Sequence, residues 1–219
     1  MANTGPGQAA KRGGGVKLAV IAVVAIASVA ALYVIGSRVL KPAETAATAQ
    51  STAAAPGAGG GLAALAKGQM AKLSTESAGK PAPTVQFVDA DGKQMTIADL
   101  KGQPLLVNLW ATWCAPCKKE MPTLAALQKR YEGKLKVVAL SIDTASATKD
   151  AKDFIGQNAP LAFYQEASMK IPFAFTPPAQ GFPTSILYDA NGVEQARLVA
   201  EADWSTPEAH AVVDKLIAP

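Results

Sequence analysis

Apolar and polar positions divide the chain into an N-terminal stretch with no alternating pattern and a C-terminal stretch that has one. Leu18 to Gly36 is nineteen residues without a charge. As a helix it would span roughly 28 Å, close to the hydrocarbon thickness of a bilayer. From Pro81 onward, short apolar runs alternate with turn residues. Val85–Val88 and Lys93–Ile97 read as a hairpin around Asp89-Ala90-Asp91-Gly92. Leu105–Trp110, apolar except for Asn108, reads as a buried central strand. A helix follows over Cys114–Tyr131, with Met121, Leu124, Ala125, Leu127 and Tyr131 at helical spacing and Gly133 as its stop. Pro116 suits the first turn, whereas Pro122 lies deeper and should kink the helix.

The pattern continues with a buried strand over Leu135–Ile142, a helix over Thr148–Gly156 and a short strand over Leu161–Tyr164. Thr184–Asp189 and Val193–Val199 form a second hairpin around Ala190-Asn191-Gly192. Pro207–Ile217 closes the chain as a helix. Hairpin, βαβ, hairpin and helix predict an α/β fold of three layers with a mixed central sheet.

Four segments follow. Residues 1–17 precede the apolar span and carry Lys11, Arg12 and Lys17, so they are expected on the cytoplasmic side. Residues 18–36 are expected to be an uncleaved transmembrane signal anchor. Ala25-Ile26-Ala27 looks like a cleavage site, but the apolar run passes through it to Ile35. Residues 37–80, rich in Ala, Pro, Gly and Thr, are expected to be a flexible tether, with a short helix within Leu62–Leu73 that either docks on the domain or stays loose. Residues 81–219 are the folded domain.

Charge narrows the function classes. The net charge is +4, but its excess lies outside the domain. Up to Gly79 there are 7 Lys/Arg against 2 Asp/Glu, and from Lys80 onward 14 against 15. A nearly neutral domain lacks the clustered positive face that phosphate binding needs, so nucleic acid is not expected as a partner. The two cysteines, Cys114 and Cys117, are too few for a disulfide framework, and a zinc site wants about four ligands. The single histidine, His210, is distant in sequence and is assigned no role.

The cysteines fall where a buried strand turns into a helix: Trp110-Ala111-Thr112-Trp113-Cys114-Ala115-Pro116-Cys117. Two thiols at i and i+3 on a first helical turn can close a disulfide. The unpaired N–H groups there favour a thiolate at Cys114. That thiolate attacks a substrate disulfide, and Cys117 resolves the mixed disulfide.

Leu106–Glu120, LVNLWATWCAPCKKE, resembles the thioredoxin superfamily and, within it, the TlpA/ResA/CcmG group of membrane-tethered thiol–disulfide oxidoreductases. The layout is most similar to TlpA: anchor, Ala-rich tether, CxPC domain, and Asp203-Trp204 before the last helix. The resemblance covers about residues 81–219. It implies a thioredoxin-like fold, no bound cofactor and no metal. It also implies a bacterial inner-membrane protein with its domain in the periplasm. Its role would be a disulfide reductant for proteins of cytochrome and copper-centre assembly, recharged by a transmembrane thiol carrier of the DsbD/CcdA kind.

The resemblance extends to Gly181-Phe182-Pro183-Thr184, where it implies a cis Phe182–Pro183 bond. Pro183 would lie against the disulfide, and the Phe182 backbone would be free to pair with substrate. Trp113 belongs to the same supporting set. Thioredoxin has a buried Asp where this chain has Asn108, which cannot take a proton. Glu120 matches an acidic residue of the ResA and CcmG relatives; it is either the proton acceptor for Cys117 or an exposed first-turn carboxylate. Lys118 and Lys119 read as a solvated face. Met169–Gly181, MKIPFAFTPPAQG, is either a rim beside Pro183 or an ordinary loop capped by core phenylalanines.

Two other functions fit less well. A thiol peroxidase wants Pro-x-x-x-Thr-x-x-Cys, but Ala111 stands where the Thr belongs. A copper-delivery protein would prefer CxxxC with a nearby histidine.

Overall fold

The computed structural model describes residues 59–218. The segments expected at residues 1–17 and 18–36, and the first part of the tether, lie outside the described residues. Among the described residues no helix is long and apolar enough to cross a membrane.

The strands in chain order are β1 (Leu73–Ser74), β2 (Phe87–Asp89), β3 (Gln94–Met95), β4 (Leu105–Trp110), β5 (Lys136–Ser141), β6 (Tyr164–Gln165), β7 (Thr184–Tyr188) and β8 (Glu194–Leu198). The α-helices are α1 (Ala115–Arg130), α2 (Thr148–Gly156), α3 (Ile171–Ala174) and α4 (Pro207–Ile217). All eight strands join one sheet in the order β1-β8-β7-β4-β5-β6-β2-β3. β4, β5 and β6 run parallel, and the other pairings are antiparallel. This is the thioredoxin-like α/β arrangement with a central mixed sheet.

Every residue of β4 is buried, so both faces of the sheet centre are covered. The core gathers Leu105, Leu106, Leu109 and Trp110 of β4 with Met121, Leu124 and Leu127 of α1 and Trp204 ahead of α4. α1 runs unbroken through Pro122, whose missing N–H leaves the Lys118 carbonyl without its helical partner.

Three expectations are corrected. The helix begins at Ala115, because Cys114 is its extended N-cap. The strand expected over Leu161–Tyr164 is displaced to Tyr164–Gln165: Leu161 N–H is taken by Asn158 O at 3.1 Å in a turn. Residues 59–80, assigned to the tether, are packed on the domain. They form 3-10 turns at Ala63–Leu65 and Gly68–Met70, not one helix, and then β1, which pairs with β8. Leu62, Met70 and Leu73 are buried in the core. Gly79 N–H donates to Glu194 O, and Glu194 N–H to Lys80 O, each at 2.8 Å. These three apolar side chains overcome the disorder that the composition suggests.

Candidate functional site

The site grows from the carboxyl end of β4. Its last residue, Trp110, is fully buried, and Ala111-Thr112-Trp113 turns the chain toward α1. Asp143, just past β5 and 1 % exposed, holds this turn. Its carboxylate accepts Thr112 N–H at 2.9 Å and the Thr112 hydroxyl at 2.7 Å. Ser141 Oγ donates to the same carboxylate at 2.9 Å.

Cys114 and Cys117 form a disulfide with their Cα atoms 5.3 Å apart. Cys117 N–H donates to Cys114 Sγ at 3.3 Å. That donor favours negative charge on the Cys114 sulfur once the pair is reduced. Cys114 keeps 5 % exposure and Cys117 none, so an incoming disulfide meets Cys114 first. The expected companions stand beside them. Trp113 is 60 % exposed, and its ring meets Phe182 edge to face with centroids 5.9 Å apart. The Phe182–Pro183 bond is cis, and Pro183 is buried. Thr184 Oγ1 donates to Gly181 O at 2.6 Å, fixing the turn ahead of that bond.

Glu120 lies one helical turn beyond Cys117, on the same face of α1. It is 2 % exposed, which rules out the exposed first-turn reading. Its Oε1 accepts from Asn108 Nδ2 at 2.5 Å and its Oε2 from Ala202 N–H at 3.0 Å. Asn108 Nδ2 also donates to Ser185 Oγ at 3.0 Å, while Asn108 Oδ1 has no partner. Burial pushes the Glu120 carboxyl from 4.5 up to about 7. The Ala202 and Asn108 donors hold that rise back, and the negative charge of Glu201 adds to it. A carboxyl that titrates near neutrality, on the face of Cys117, can accept and return a proton there.

The structure thus links Cys114 to Cys117, sets Trp113 beside them in sequence against Phe182 of the cis Phe182–Pro183 pair, and joins Asn108 to Glu120 one turn along α1 from Cys117. His210 is not among them; its ring packs on Tyr131 with centroids 6.0 Å apart. Lys118 and Lys119 are exposed, and Lys119 Nζ pairs with Glu201 at 3.0 Å. Among the described residues no group of three or more His, Cys, Asp and Glu side chains converges as a metal site would require. Sequence reasoning missed Asp143 and Ser185. An acid directly after a buried parallel strand was the available signal for Asp143; nothing local marks Ser185.

The Redoxin family model matches residues 77–213. The thiol-disulfide oxidoreductase ResA of Bacillus anthracis is 32 % identical over 139 residues, covering 63 % of this chain and 78 % of that protein. ResA of Bacillus subtilis is 30 % identical over 118 residues, covering 53 % and 64 %. Among solved structures, a thiol:disulfide interchange protein of the thioredoxin family from Chlorobium tepidum superposes with a TM-score of 0.54 at 26 % identity, covering 64 % of this chain and 97 % of that one. A DsbF homologue from Corynebacterium diphtheriae gives 0.54 at 23 %, covering 66 % and 93 %, and supports the fold. With the disulfide at the head of α1, these likenesses place the chain in the Redoxin family, among the ResA-like members of the thioredoxin superfamily, as a thiol:disulfide oxidoreductase.

Proposed function

We propose that this oxidoreductase is a disulfide reductant on the periplasmic side of a bacterial inner membrane, held there by residues 18–36. Its substrates are exported proteins of cytochrome and copper-centre assembly, and a transmembrane thiol carrier of the DsbD/CcdA kind returns it to the dithiol. The observation that carries the exchange chemistry is the Cys114–Cys117 pair at the head of α1, with Cys114 as its N-cap and Glu120 buried one turn beyond Cys117. The uncharged run from Leu18 to Gly36 supports the anchor.

In the reducing direction the Cys114 thiolate attacks one sulfur of the substrate disulfide. A mixed disulfide forms, and the other substrate sulfur leaves as a thiolate that takes a proton from water. Glu120 removes the Cys117 proton. The Cys117 thiolate attacks Cys114 Sγ, closes the protein disulfide and expels the second substrate sulfur as a thiolate, which takes up the proton held by Glu120. Two electrons pass to substrate, and the carrier's dithiol restores them. Phe182 offers its backbone to an extended substrate segment, with Trp113 and Pro183 flanking it.

The deciding experiment is redox equilibration of the Cys114–Cys117 pair with glutathione. A potential near about −270 mV supports the reductant, and one near about −120 mV reverses the direction of electron flow.

A further inference from the structure

The segment from Glu166 to Pro183, which leads from β6 into the site, is pinned at two places by buried charge. At its start, Glu166 is 3 % exposed and accepts N–H bonds from Ser168 at 2.9 Å, Lys170 at 2.6 Å and Ile171 at 3.0 Å. The Ser168 hydroxyl donates to it as well. Met169, between these donors, has φ 53°, a left-handed backbone that a non-glycine residue keeps only where its surroundings enforce it.

Further along, Arg197 of β8 is 5 % exposed and donates from Nη1 to Pro177 O at 2.6 Å. Its guanidinium lies 5.1 Å from the centre of the Phe175 ring. Glu194 neutralises it through Nε and Nη2 bonds of 2.9 Å each. Ile171, Phe175 and Ala179 point into the core, and Phe173 stands 70 % exposed. The segment ends at Phe182, against Trp113.

A connecting loop does not need this. Apolar side chains of similar volume hold a loop at least as well, because burying each charge costs several kcal/mol before its partner offsets it. What charged groups add is direction: a forked guanidinium and a carboxylate with several donors fix backbone atoms in place.

We propose that Glu166 and Arg197, the latter with Glu194, are positioning residues that hold residues 168–182 so that the Phe182 backbone faces an extended protein substrate beside Cys114. This rests on the reading, given above, that substrate pairs with the Phe182 backbone. The ligand class is an extended polypeptide carrying a disulfide. Oxidised glutathione is too short to use the platform and depends on the cysteines alone.

The test is the rate at which the reduced full-length chain, in detergent, reacts with two disulfides, followed by tryptophan fluorescence. One is a synthetic peptide with a single disulfide between extended apolar arms; the other is oxidised glutathione. Arg197→Met is expected to lower the peptide-to-glutathione rate ratio by about tenfold. Arg197→Lys should recover part of it, since it keeps the charge but not the fork. Glu166→Gln, which leaves the ion pair intact, should shift the ratio in the same direction, and it decides the matter if Arg197→Met does not fold. An unchanged ratio in Glu166→Gln and in any folded Arg197→Met overturns the proposal, as does an equal loss on both disulfides. A wild-type protein with no preference for the peptide instead removes the backbone-pairing reading on which the proposal rests.

Discussion

Glu120 is the residue whose chemistry is most exposed to pH. The unfolded carboxyl titrates near 4.5 and the folded one near 7. Between those values the folded chain holds a proton that the unfolded chain has lost. Stability therefore falls as pH rises through this window, by about 3 kcal/mol at this residue, and the loss is complete above the upper value. Glu120→Gln removes the slope. Its amide can still accept from Ala202 N–H, and a turned Asn108 would give the orphaned Oδ1 a donor. Urea unfolding of the oxidised protein should show the variant gaining on the wild type between pH 5 and pH 8. Disulfide exchange should slow by about tenfold or more and lose its inflection near neutrality. A rate profile that matches the wild type from pH 5 to pH 8 would take Glu120 out of the proton path.

Asp143 works at the same scale without touching sulfur. Asp143→Ala strands the Thr112 N–H and the Ser141 hydroxyl in a buried place, at a cost of about 3 kcal/mol. The turn before Cys114 loses its clasp, so the rate of reduction by dithiothreitol should change together with the melting temperature. A variant that melts early but reacts like the wild type would confine Asp143 to stability.

Among the elements, the long periodic ones were legible in the sequence. β4, α2 and α4 occupy the residues that their patterns imply, and α1 and β5 differ by one residue at each end. Each repeats its apolar spacing often enough to identify its own period. β2, β3 and β6 have two or three residues each, too few to show a period, and their positions are set by partners distant in sequence. The site divides in the same way. Cys114, Cys117 and Pro183 announce themselves through local motifs. Asp143, Ser185 and Arg197 acquire their meaning from contacts across the sheet, and composition cannot reveal those.

Residues 59–80 are the largest such case. Their Ala- and Gly-rich composition hides Leu62, Met70 and Leu73, which are 3 %, 0 % and 6 % exposed. Burying three such side chains contributes about 5 to 9 kcal/mol, the higher value being an upper bound. A chain starting at Pro81 should therefore unfold at markedly lower urea than one starting at Gly59. Equal midpoints would mean that these residues only rest on the surface.

For the whole molecule, the question is how a nearly neutral domain is kept where its chemistry is useful. The domain's acidic and basic residues nearly cancel, while the basic excess sits around the uncharged span from Leu18 to Gly36. Its own surface therefore gives little attraction to anionic lipid. On the proposed reading, residence at the membrane would fall to the span, which as a helix would match the thickness of the bilayer core. Two variants separate anchoring from catalysis. Deleting residues 1–36 should release the protein from membranes in fractionation, with the glutathione equilibrium of Cys114–Cys117 unchanged, because the donor to Cys114 Sγ, and Glu120 with its donors Asn108 and Ala202, lie within the folded domain. Placing charges at Val24 and Val29 should weaken retention in the same assay, since each costs about 3 kcal/mol at mid-bilayer. Protease added outside spheroplasts should cleave the domain of the intact chain. A domain protected until the membrane is opened would put the cysteine pair on the cytoplasmic side, where no carrier in the membrane is needed to keep it reduced.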